Sequence, residues 1–506
     1  MSSKCRSLLR GSRPRLARWV TAGVLSIVVT ACGTTVPLAQ QVGGSTSGLA
    51  TTSLQSGDGT GINPSTSQQV NADSGSSIST DNPSGNGPTG SSSGGPMPSL
   101  TTGTSGSTGR ASALPPIKIG ALTANGAGEY QKSLGFTGAM GDQVAMTGAV
   151  VSYLNSHGGI AGRKIQVVYY DLRPADVAAD ANAAYQAACT AFTQDNHVVA
   201  VAALPGAPDN FYQCLEKAGV IDVVAIQVTS SRFFQRHSSS VYMPASPTYT
   251  RLLAASVDAL WSSGWLTAKS KIGVVGTDTI DGHATVDDAL IPALKRHGLT
   301  LTDGMFTSTD TSQAGEYPGG ALRFKTKNID RVFFAPGGQP IYFALAAENQ
   351  NYHPHYELGS LEYPYLLTQN LPASQLGGSA GLGWIPTFDV DAAHWQKTPT
   401  PGQARCKTAV KAAGQDLSNG TVLGIASTVC DDWFFLRNAL KGSSTITPAS
   451  VRASVESMGR SFTPAGTFGS RFAPGQLHDG ADTYRLNVFN DACQCYTYVT
   501  GNKTLP

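Results

Sequence analysis

Residues 155–165 read Asn-Ser-His-Gly-Gly-Ile-Ala-Gly-Arg-Lys-Ile, and this stretch decides how the rest of the chain is interpreted. Residues 142–156, which lead into it, carry apolar side chains at helical spacing, and the glycine pair that follows is typical of a helix C-terminus. Residues 164–170 after it and residues 117–121 before it have the composition of short strands. The sequence therefore predicts a strand, a helix and a second strand around a glycine-rich connection.

The same alternation of strands and helices continues along the chain. Strands that alternate with helices favour parallel sheets with helices on both faces. Because the alternation pauses near residue 230 and begins again after residue 250, we expect an α/β protein with two lobes and a ligand site outside the carboxyl ends of the strands. The further predicted strands are 198–203, 221–227, 271–275, 330–334 and 355–358, and the further predicted helices are 176–192, 209–218, 251–261, 286–297 and 341–350.

The first residues have the features of an export signal. Six lysines and arginines lie between residues 4 and 18, and the uncharged stretch 19–31 is shorter than the ~20 residues that a membrane-spanning helix needs. It ends in Val-Thr-Ala before Cys32, which resembles the lipobox of bacterial lipoproteins. The resemblance implies removal of residues 1–31, a diacylglyceryl thioether on Cys32, and a protein anchored by lipid to the extracytoplasmic face of the cell membrane. An ordinary signal peptide with an incidental Cys32 is the alternative.

Charge argues against a nucleic-acid partner. Removing residues 1–31 takes away six positive charges and no negative ones, so the formal net charge moves from +2 to −4. A weakly acidic chain has no electrostatic reason to bind nucleic acid.

Residues 43–110 are a low-complexity mixture of Gly, Ser, Thr and Pro. Such a segment buries too little apolar surface to offset its conformational entropy. We therefore predict that residues 32–113 form a disordered linker between the lipid anchor and the folded part.

Six cysteines remain once Cys5 leaves with the signal segment and Cys32 carries lipid. In an exported chain they predict three disulfides, for which fifteen connectivities exist. We favour pairing between neighbours, and a zinc site around residues 493–495 is the alternative for the last pair. The favoured pairs are Cys189–Cys214, Cys406–Cys430 and Cys493–Cys495.

Beyond the linker, the chain resembles the type I periplasmic-binding fold, in the branch typified by Leu/Ile/Val-binding and amide-binding proteins. The resemblance rests on residues 117–120 and on the N-x-x-GGI-x-G-(R/K)-x-(I/L) pattern of residues 155–165, followed by Asp171. It implies two Rossmann-like lobes with parallel sheets, joined by a three-strand hinge. The implied lobe 1 comprises residues 114–243 and 388–485, the implied lobe 2 comprises residues 244–387 and 486–506, and the crossings fall near residues 243–244, 384–386 and 485–487.

The resemblance also implies a ligand site between the lobes. In amino-acid-binding relatives, N–H groups and hydroxyls after the third and fourth strands hold the ligand carboxylate, an acidic residue of lobe 2 holds its ammonium group, and an aromatic residue packs on it. Here Pro205 and Pro208 remove two N–H donors, so an α-amino acid, an amide, a ureide and an aromatic acid all stay open as ligands. The matching positions are Leu204, Gly206, Gln227, Thr229, Ser230, Gly338, Glu362 and Tyr130.

Simpler structural roles compete for several of these residues. Glu362 fits a solvated loop carboxylate, and Thr229 and Ser230 fit the cap of the next helix. Asp278 and Asp281 beside a glycine are predicted to form a turn.

The function predicted from these features is capture of a small polar solute by a monomeric lipoprotein that passes it to an ABC permease. A ligand-sensing receptor for a signalling partner is the alternative. An enzyme is less favoured, because the chain contains no H-E-x-x-H motif, no Walker A motif, and no G-x-S-x-G motif between a strand and a helix. We predict no cofactor and no metal site.

Overall fold

The computed structural model describes residues 114–126, 141–238, 240–309, 313–441, 445–476 and 478–506. The predicted signal segment, the lipidation site Cys32, the predicted linker up to residue 113, and Tyr130 lie outside these ranges. Within them, no helix combines the length and the apolar character that crossing a membrane requires.

The first sheet contains β1 (Ile117–Thr123), β2 (Ile165–Asp171), β3 (Ala200–Ala202), β4 (Ile221–Val223) and β5 (Val241–Tyr242). All neighbouring strands are parallel, in the order β2-β1-β3-β4-β5. The intervening helices are α1 (Gln143–Ser156), α2 (Pro174–Thr190), α3 (Asp209–Lys217) and α4 (Ser231–Arg236).

The connection between α1 and β2 explains the conspicuous sequence of residues 155–165. Gly158 and Gly159 have φ angles of 93° and 67°, and a Cβ on Gly159 would lie 2.0 Å from the Arg163 carbonyl oxygen. The Asn155 side-chain oxygen accepts from the Ile165 N–H at 2.7 Å, and its amide nitrogen donates to the Ile165 carbonyl at 3.1 Å. The asparagine thus pairs with the start of β2 as a neighbouring strand would, which is why the helix end and the strand start are fixed relative to each other.

Both faces of the first sheet are covered by apolar packing. On one face Ile119 packs in a cluster with Leu154 of α1, and on the other Val201 packs in a cluster with Phe192. A Cβ on Gly120 of β1 would lie 2.8 Å from the Phe192 ring, so this ring needs a glycine beneath it.

The second lobe begins with α5 (Tyr249–Ser262) and contains a second parallel sheet in the order β7-β6-β8-β9. A π-helical turn, Val286–Leu290, joins two of its helices, so the helix predicted for 286–297 starts earlier, at Ile280. Its strands are β6 (Ile272–Thr277), β7 (Leu301–Thr307), β8 (Arg331–Phe334) and β9 (His355–Tyr356), and its further helices are α6 (Ile280–Thr285), α7 (Ile291–Arg296), α8 (Gln313–Thr326), α9 (Pro340–Glu348), α10 (Pro364–Asn370) and α11 (Ala373–Leu376).

The chain then returns to the first lobe. Trp433 and Val451 of this returning segment join the same apolar cluster as Ile119 and Leu154. The elements are β10 (Ala380–Gly383), α12 (Pro386–Asp389), α13 (Pro401–Val410), α14 (Gly420–Ala439) and α15 (Pro448–Glu456).

A third, antiparallel sheet closes the chain with β11 (Thr483–Asn490), β12 (Cys495–Tyr498) and β13 (Lys503–Thr504) beside β10. Gly383 of β10 pairs with Arg485, and Met243 forms a bridge with Asp479. The three predicted crossings between lobes therefore lie close to one another along residues 479–490.

The described residues contain three disulfides, with the favoured pairing. Cys189–Cys214 joins α2 to α3, and Cys406–Cys430 joins α13 to α14. Cys493–Cys495 lies at the turn between β11 and β12, so these two sulfurs are bonded to each other and not to a zinc ion.

Candidate ligand-binding site

Loops that follow strands of both parallel sheets contact each other. Residues 224–230 follow β4 of the first sheet, and residues 278–281 follow β6 of the second. Ser230 from the first loop is hydrogen-bonded to Asp281 from the second. Because both loops lie at the carboxyl ends of parallel strands, they meet where ligands of such sheets bind.

The Gln227 side chain fills the space between the two first-lobe loops that follow β3 and β4. Its amide oxygen accepts from the Gly206 N–H at 2.7 Å and from the Val228 N–H at 3.2 Å, while its amide nitrogen donates to the Tyr212 hydroxyl at 2.6 Å. The side chain is buried. The Gly206 N–H, and the Val228 N–H between the predicted positions Gln227 and Thr229, are therefore bound by the protein's own amide.

Thr229 is a predicted ligand residue whose side-chain hydroxyl makes no hydrogen bond within the described structure. Its hydroxyl is buried and has no hydrogen-bond partner among the described residues. Its carbonyl accepts from the Tyr249 N–H at 2.8 Å, which fixes the loop against α5. A buried hydroxyl without a partner costs ~1–3 kcal/mol, and a ligand that offers a donor or acceptor would recover this cost.

Ser230 caps α4 and also contacts the second lobe, while its predicted role in ligand binding stays a prediction. Its hydroxyl accepts from the Arg232 N–H at 3.1 Å, so Ser230 caps the helix. The same hydroxyl donates to the Asp281 carboxylate, and the Ser230 N–H lies 3.3 Å from the same carboxylate oxygen.

Glu362 is 4% exposed, so the solvated-loop alternative for it is wrong. One carboxylate oxygen accepts from the Tyr249 hydroxyl at 2.6 Å, and the other accepts from the Gly359 N–H at 2.8 Å. Burial raises the pKa of Glu362 to about 7, although these two hydrogen bonds act in the opposite direction. Tyr249 thus connects the Thr229 loop of the first lobe with the acidic residue predicted to face a ligand ammonium group.

Gly338 and Leu204 have packing roles in this structure. The Gly338 N–H donates to the Ala335 carbonyl at 2.9 Å, and a Cβ on Gly338 would lie 2.3 Å from the Val275 carbonyl oxygen. The turn after β8 therefore passes too close to β6 for any residue with a side chain. Leu204 packs against the apolar cluster around Phe192.

A second buried carboxyl group lies beside the crossing that follows β10. Asp389 accepts from the Ser360 hydroxyl and from the Tyr498 hydroxyl, each at 2.6 Å. Burial raises its pKa to about 7 against these hydrogen bonds. The Ser360 hydroxyl also accepts from the Trp384 N–H at 2.7 Å, so this group connects the turn at Ser360 and strand β12 with the crossing near residues 384–386.

Two pairs of charged side chains extend the contact between lobes. The Arg232 guanidinium binds both oxygens of Asp288, each at 2.7 Å. The Arg236 guanidinium lies 3.0 Å from the second oxygen of Asp281 and also pairs with Asp209 of its own lobe at 3.0 Å. Two arginines of α4 thus bind one aspartate of α6 and one aspartate of the π-helical turn that follows it.

Potential metal ligands are few in the ranges that the structure describes. Asp391, His394 and Cys495 approach one another closely enough to share an ion, but the Cys495 sulfur is in a disulfide. Two donors are left, which is one fewer than catalytic zinc sites use and two fewer than structural zinc sites use.

A separate pocket lies beside the second crossing, between α13, α14 and the loop before α13. The Thr387 hydroxyl in its wall is buried and has no partner within the described ranges. None of the predicted ligand-binding residues lines this pocket. The lining includes Pro386, Thr387, Trp395, Lys397, Lys407 and Leu423.

Residues 116–490 match the family model described as "Periplasmic binding protein". The chain belongs to the periplasmic binding protein family. A comparison with curated proteins finds no match. The family consists of solute-binding proteins, and the two lobes described above have its type I fold.

Solved structures of this binding-protein family agree with the fold. An ABC transporter substrate-binding protein from Desulfitobacterium hafniense in complex with Leu is 16% identical, with a TM-score of 0.51, and the match covers 76% of this chain and 99% of that one. A solute-binding protein from R. palustris in complex with 4-hydroxybenzoate is 14% identical, with a TM-score of 0.55 and coverage of 77% and 98%. A branched-chain amino acid transporter substrate-binding protein from Streptococcus pneumoniae in complex with isoleucine is 14% identical, with a TM-score of 0.52 and coverage of 77% and 99%.

The sequence prediction missed the residues of this binding protein that connect the lobes. The glycine beside Asp281 predicts only a turn there, and none of the sequence patterns described above assigns a role to Asp288 or to the two arginines. The signal is nevertheless present, because Arg232 and Arg236 are four residues apart, and Asp281 and Asp288 are seven apart. Each pair therefore lies on one face of its own helical segment.

Proposed function

We propose that the protein captures a small polar solute between its lobes and delivers it to an ABC permease, while lipid on Cys32 holds it at the extracytoplasmic face of the membrane. The family match over residues 116–490 is the observation that carries the proposal. A solute that touches both lobes stabilises the closed arrangement relative to the open one, so capture needs no catalytic group.

The region where the loops after β4 and β6 meet, called the cleft below, supports this proposal in two respects. The loops after β4 and β6 already touch, so a solute held beside them contacts both lobes. The buried Thr229 hydroxyl has no partner among the described residues, so a solute that reaches it would supply its missing hydrogen bond. Similar proteins bind Leu, isoleucine and 4-hydroxybenzoate, which brings amino acids and aromatic acids into the test set together with amides and ureides.

A thermal-shift screen of residues 114–506 against these four classes and against cell extract is the direct test. One class should raise the melting temperature, since a ligand that binds only the native state at a hundredfold excess over Kd adds about 2.7 kcal/mol of stability. Absence of any shift, including with extract, would contradict solute capture.

Thr229→Ala tests the position of the site. We expect the variant to weaken binding of the solute by about tenfold while the melting temperature of the empty protein stays nearly unchanged, since the hydroxyl has no partner among the described residues to lose. Thr326→Ala is the matched control, because Thr326 is exposed on α8. Equal loss of affinity in both variants would remove Thr229 from the site.

The lipid anchor needs its own test. Cells that express the wild type should incorporate labelled palmitate into the protein and retain it in the membrane fraction. Cys32→Ser should lose the label and release the protein. Retention of label in Cys32→Ser would contradict the anchor, whatever the solute is.

A receptor that reports the solute to a signalling partner is the alternative function. It would use the same cleft. Adjacent permease and ATPase genes would favour import, and an adjacent sensor kinase gene would favour signalling.

A further inference from the structure

The Asp281 carboxylate from the second lobe is bound almost entirely by groups of the first lobe. One oxygen receives the Ser230 N–H and the Ser230 hydroxyl, and the other receives the Arg236 guanidinium. A backbone N–H, a hydroxyl and a guanidinium are together a strong binding site for a carboxylate, because each hydrogen bond is assisted by charge.

The Ser230 donors lie in the loop after β4, where the family resemblance implies recognition of a ligand carboxylate, and Arg236 lies at the end of the helix that follows this loop. The second such place, between Gly206 and Val228, is filled by the Gln227 amide oxygen. The hydrogen-bond donors of Ser230, and those of Gly206 and Val228, are thus already bound by acceptors of the protein itself.

The neighbouring charges reinforce this arrangement. Arg232 binds Asp288 through two hydrogen bonds, and Arg236 is shared between Asp281 and Asp209. Each guanidinium in the described part of this contact therefore already has an acidic partner. A solute carboxylate would have to displace Asp281 and would then lie beside the displaced negative charge.

We propose that Asp281 is a built-in occupant of the carboxylate position, and that the cleft consequently selects neutral solutes of the amide or ureide class over the corresponding acids. This inference rests on the proposed solute capture. In every copy of the protein, the Asp281 carboxylate accepts the hydrogen bonds of the first-lobe donors. The solute binds beside Asp281 through neutral hydrogen-bonding groups such as the Thr229 hydroxyl.

The contact itself can be tested without any solute. Hydrogen exchange of residues 226–236 in the empty wild-type protein should be slow, and Asp281→Ala should accelerate it by about tenfold or more because the Ser230 N–H loses its acceptor. Asp287→Ala is the matched control, since Asp287 is exposed on the same helical segment. Unchanged exchange in Asp281→Ala would overturn the proposed occupancy.

The selectivity is tested with matched pairs of probes by calorimetry. The pairs are 4-hydroxybenzamide with 4-hydroxybenzoate, and 4-methylpentanamide with 4-methylpentanoate, in which each amide is neutral and each acid is an anion. The wild type should bind an amide at least about tenfold more tightly than its acid, and Asp281→Ala should reduce or reverse this preference, while Asp287→Ala should not. An acid that binds the wild type as tightly as its amide would overturn the inference and leave solute capture intact.

Failure of the proposed function has a different signature. If no probe and no component of cell extract binds the wild type or the variant, solute capture is contradicted. The proposed preference for amides over acids is then contradicted as well. The exchange experiment still decides whether Asp281 occupies the first-lobe donors.

Discussion

The two lobes share one strand–helix pattern but are stabilised by different means. In the first lobe, Cys189–Cys214 and Cys406–Cys430 each join two helices covalently. In the second lobe and at the crossings, hydroxyl groups donate to buried carboxyl groups, as Tyr249 does to Glu362. In the described ranges the one remaining disulfide, Cys493–Cys495, spans a turn and joins no helices.

The difference teaches that the lobes should respond to different perturbations. A disulfide acts mainly by restricting the unfolded chain and is insensitive to pH over the ordinary range. A buried carboxyl group contributes to the stability of the fold only while it keeps its hydrogen bonds and its proton. The first lobe also contains a buried carboxyl group, but this one differs from those of the second lobe. Both Asp222 oxygens are buried without a hydrogen-bond partner in the described structure.

The largest expected effect is removal of the two helix-joining disulfides. Replacing all four cysteines by alanine should lower the free energy of unfolding by ~3 kcal/mol for each disulfide, because each closes a loop with a sequence separation of 24 or 25 residues. Hydrogen exchange in mild urea should then show the first sheet opening before the second. Simultaneous opening of both sheets would show that the lobes do not differ in this way.

Asp222→Asn should produce the next largest effect. Burial raises the pKa of Asp222 to about 8, against about 3.9 in the unfolded chain, so the folded state binds more protons between these values. Stability should therefore fall as pH rises from about 4 to about 8, by up to about 1.4 kcal/mol per pH unit from this group.

Asp222→Asn should flatten that decline in urea unfolding measured at several pH values. Asp287→Asn, which changes an exposed carboxyl group, should leave it unchanged. An equal decline in the wild type and Asp222→Asn would refute the assignment of the pH dependence to Asp222.

Tyr249→Phe should have a smaller effect, centred on the second lobe. Loss of the 2.6 Å hydrogen bond should cost about 2 kcal/mol, a value typical of bonds to carboxyl groups. The pKa of Glu362 should rise further, because this hydrogen bond lowers it. A carbon-13 NMR titration of the Glu362 carboxyl group measures the shift, and Tyr484→Phe, at a partly exposed tyrosine of β11, is the control.

The smallest effect is expected for the disulfide at the turn between β11 and β12. Changing Cys493 and Cys495 to alanine should cost only about 1.5 kcal/mol, because the bond spans a sequence separation of 2 and removes little freedom from the unfolded chain. Thermal unfolding of this variant beside the four-alanine variant measures the contrast. A cost as large as that of a helix-joining disulfide would mean that chain entropy does not explain it.

Local sequence patterns predicted the parts of the fold that depend on neighbouring residues. The helix end at Gly158 and Gly159 is fixed by positive φ angles, and the Asn155 contact spans only ten residues. The strand predicted for 221–227 was less accurate, because β4 ends at Val223 while the chain stays buried as far as Gln227. A buried apolar run has the same composition whether or not it is in a sheet.

The candidate site was harder to predict because its contacts join distant positions. Asp281 was interpreted as a turn residue from the glycine beside it, while its main partners in the first lobe lie 51 and 45 positions away. The family resemblance places Gln227 in the ligand site. The hydrogen bonds from its side-chain amide to Gly206 and Tyr212 depend on parts of the chain that only the folded sheet brings together. Hydrogen bonds of this kind leave no periodic signal in a sequence.

The Gln227 amide can be regarded as a small molecule that the chain carries on a tether. Shortening this side chain to that of glycine would vacate a space lined by the Gly206 and Val228 N–H groups and the Tyr212 hydroxyl. Acetamide or formamide has the same donor and acceptor, so Gln227→Gly should gain a binding site for a free primary amide that restores its lost stability. A receptor altered in this way would report an amide in solution through its own melting temperature.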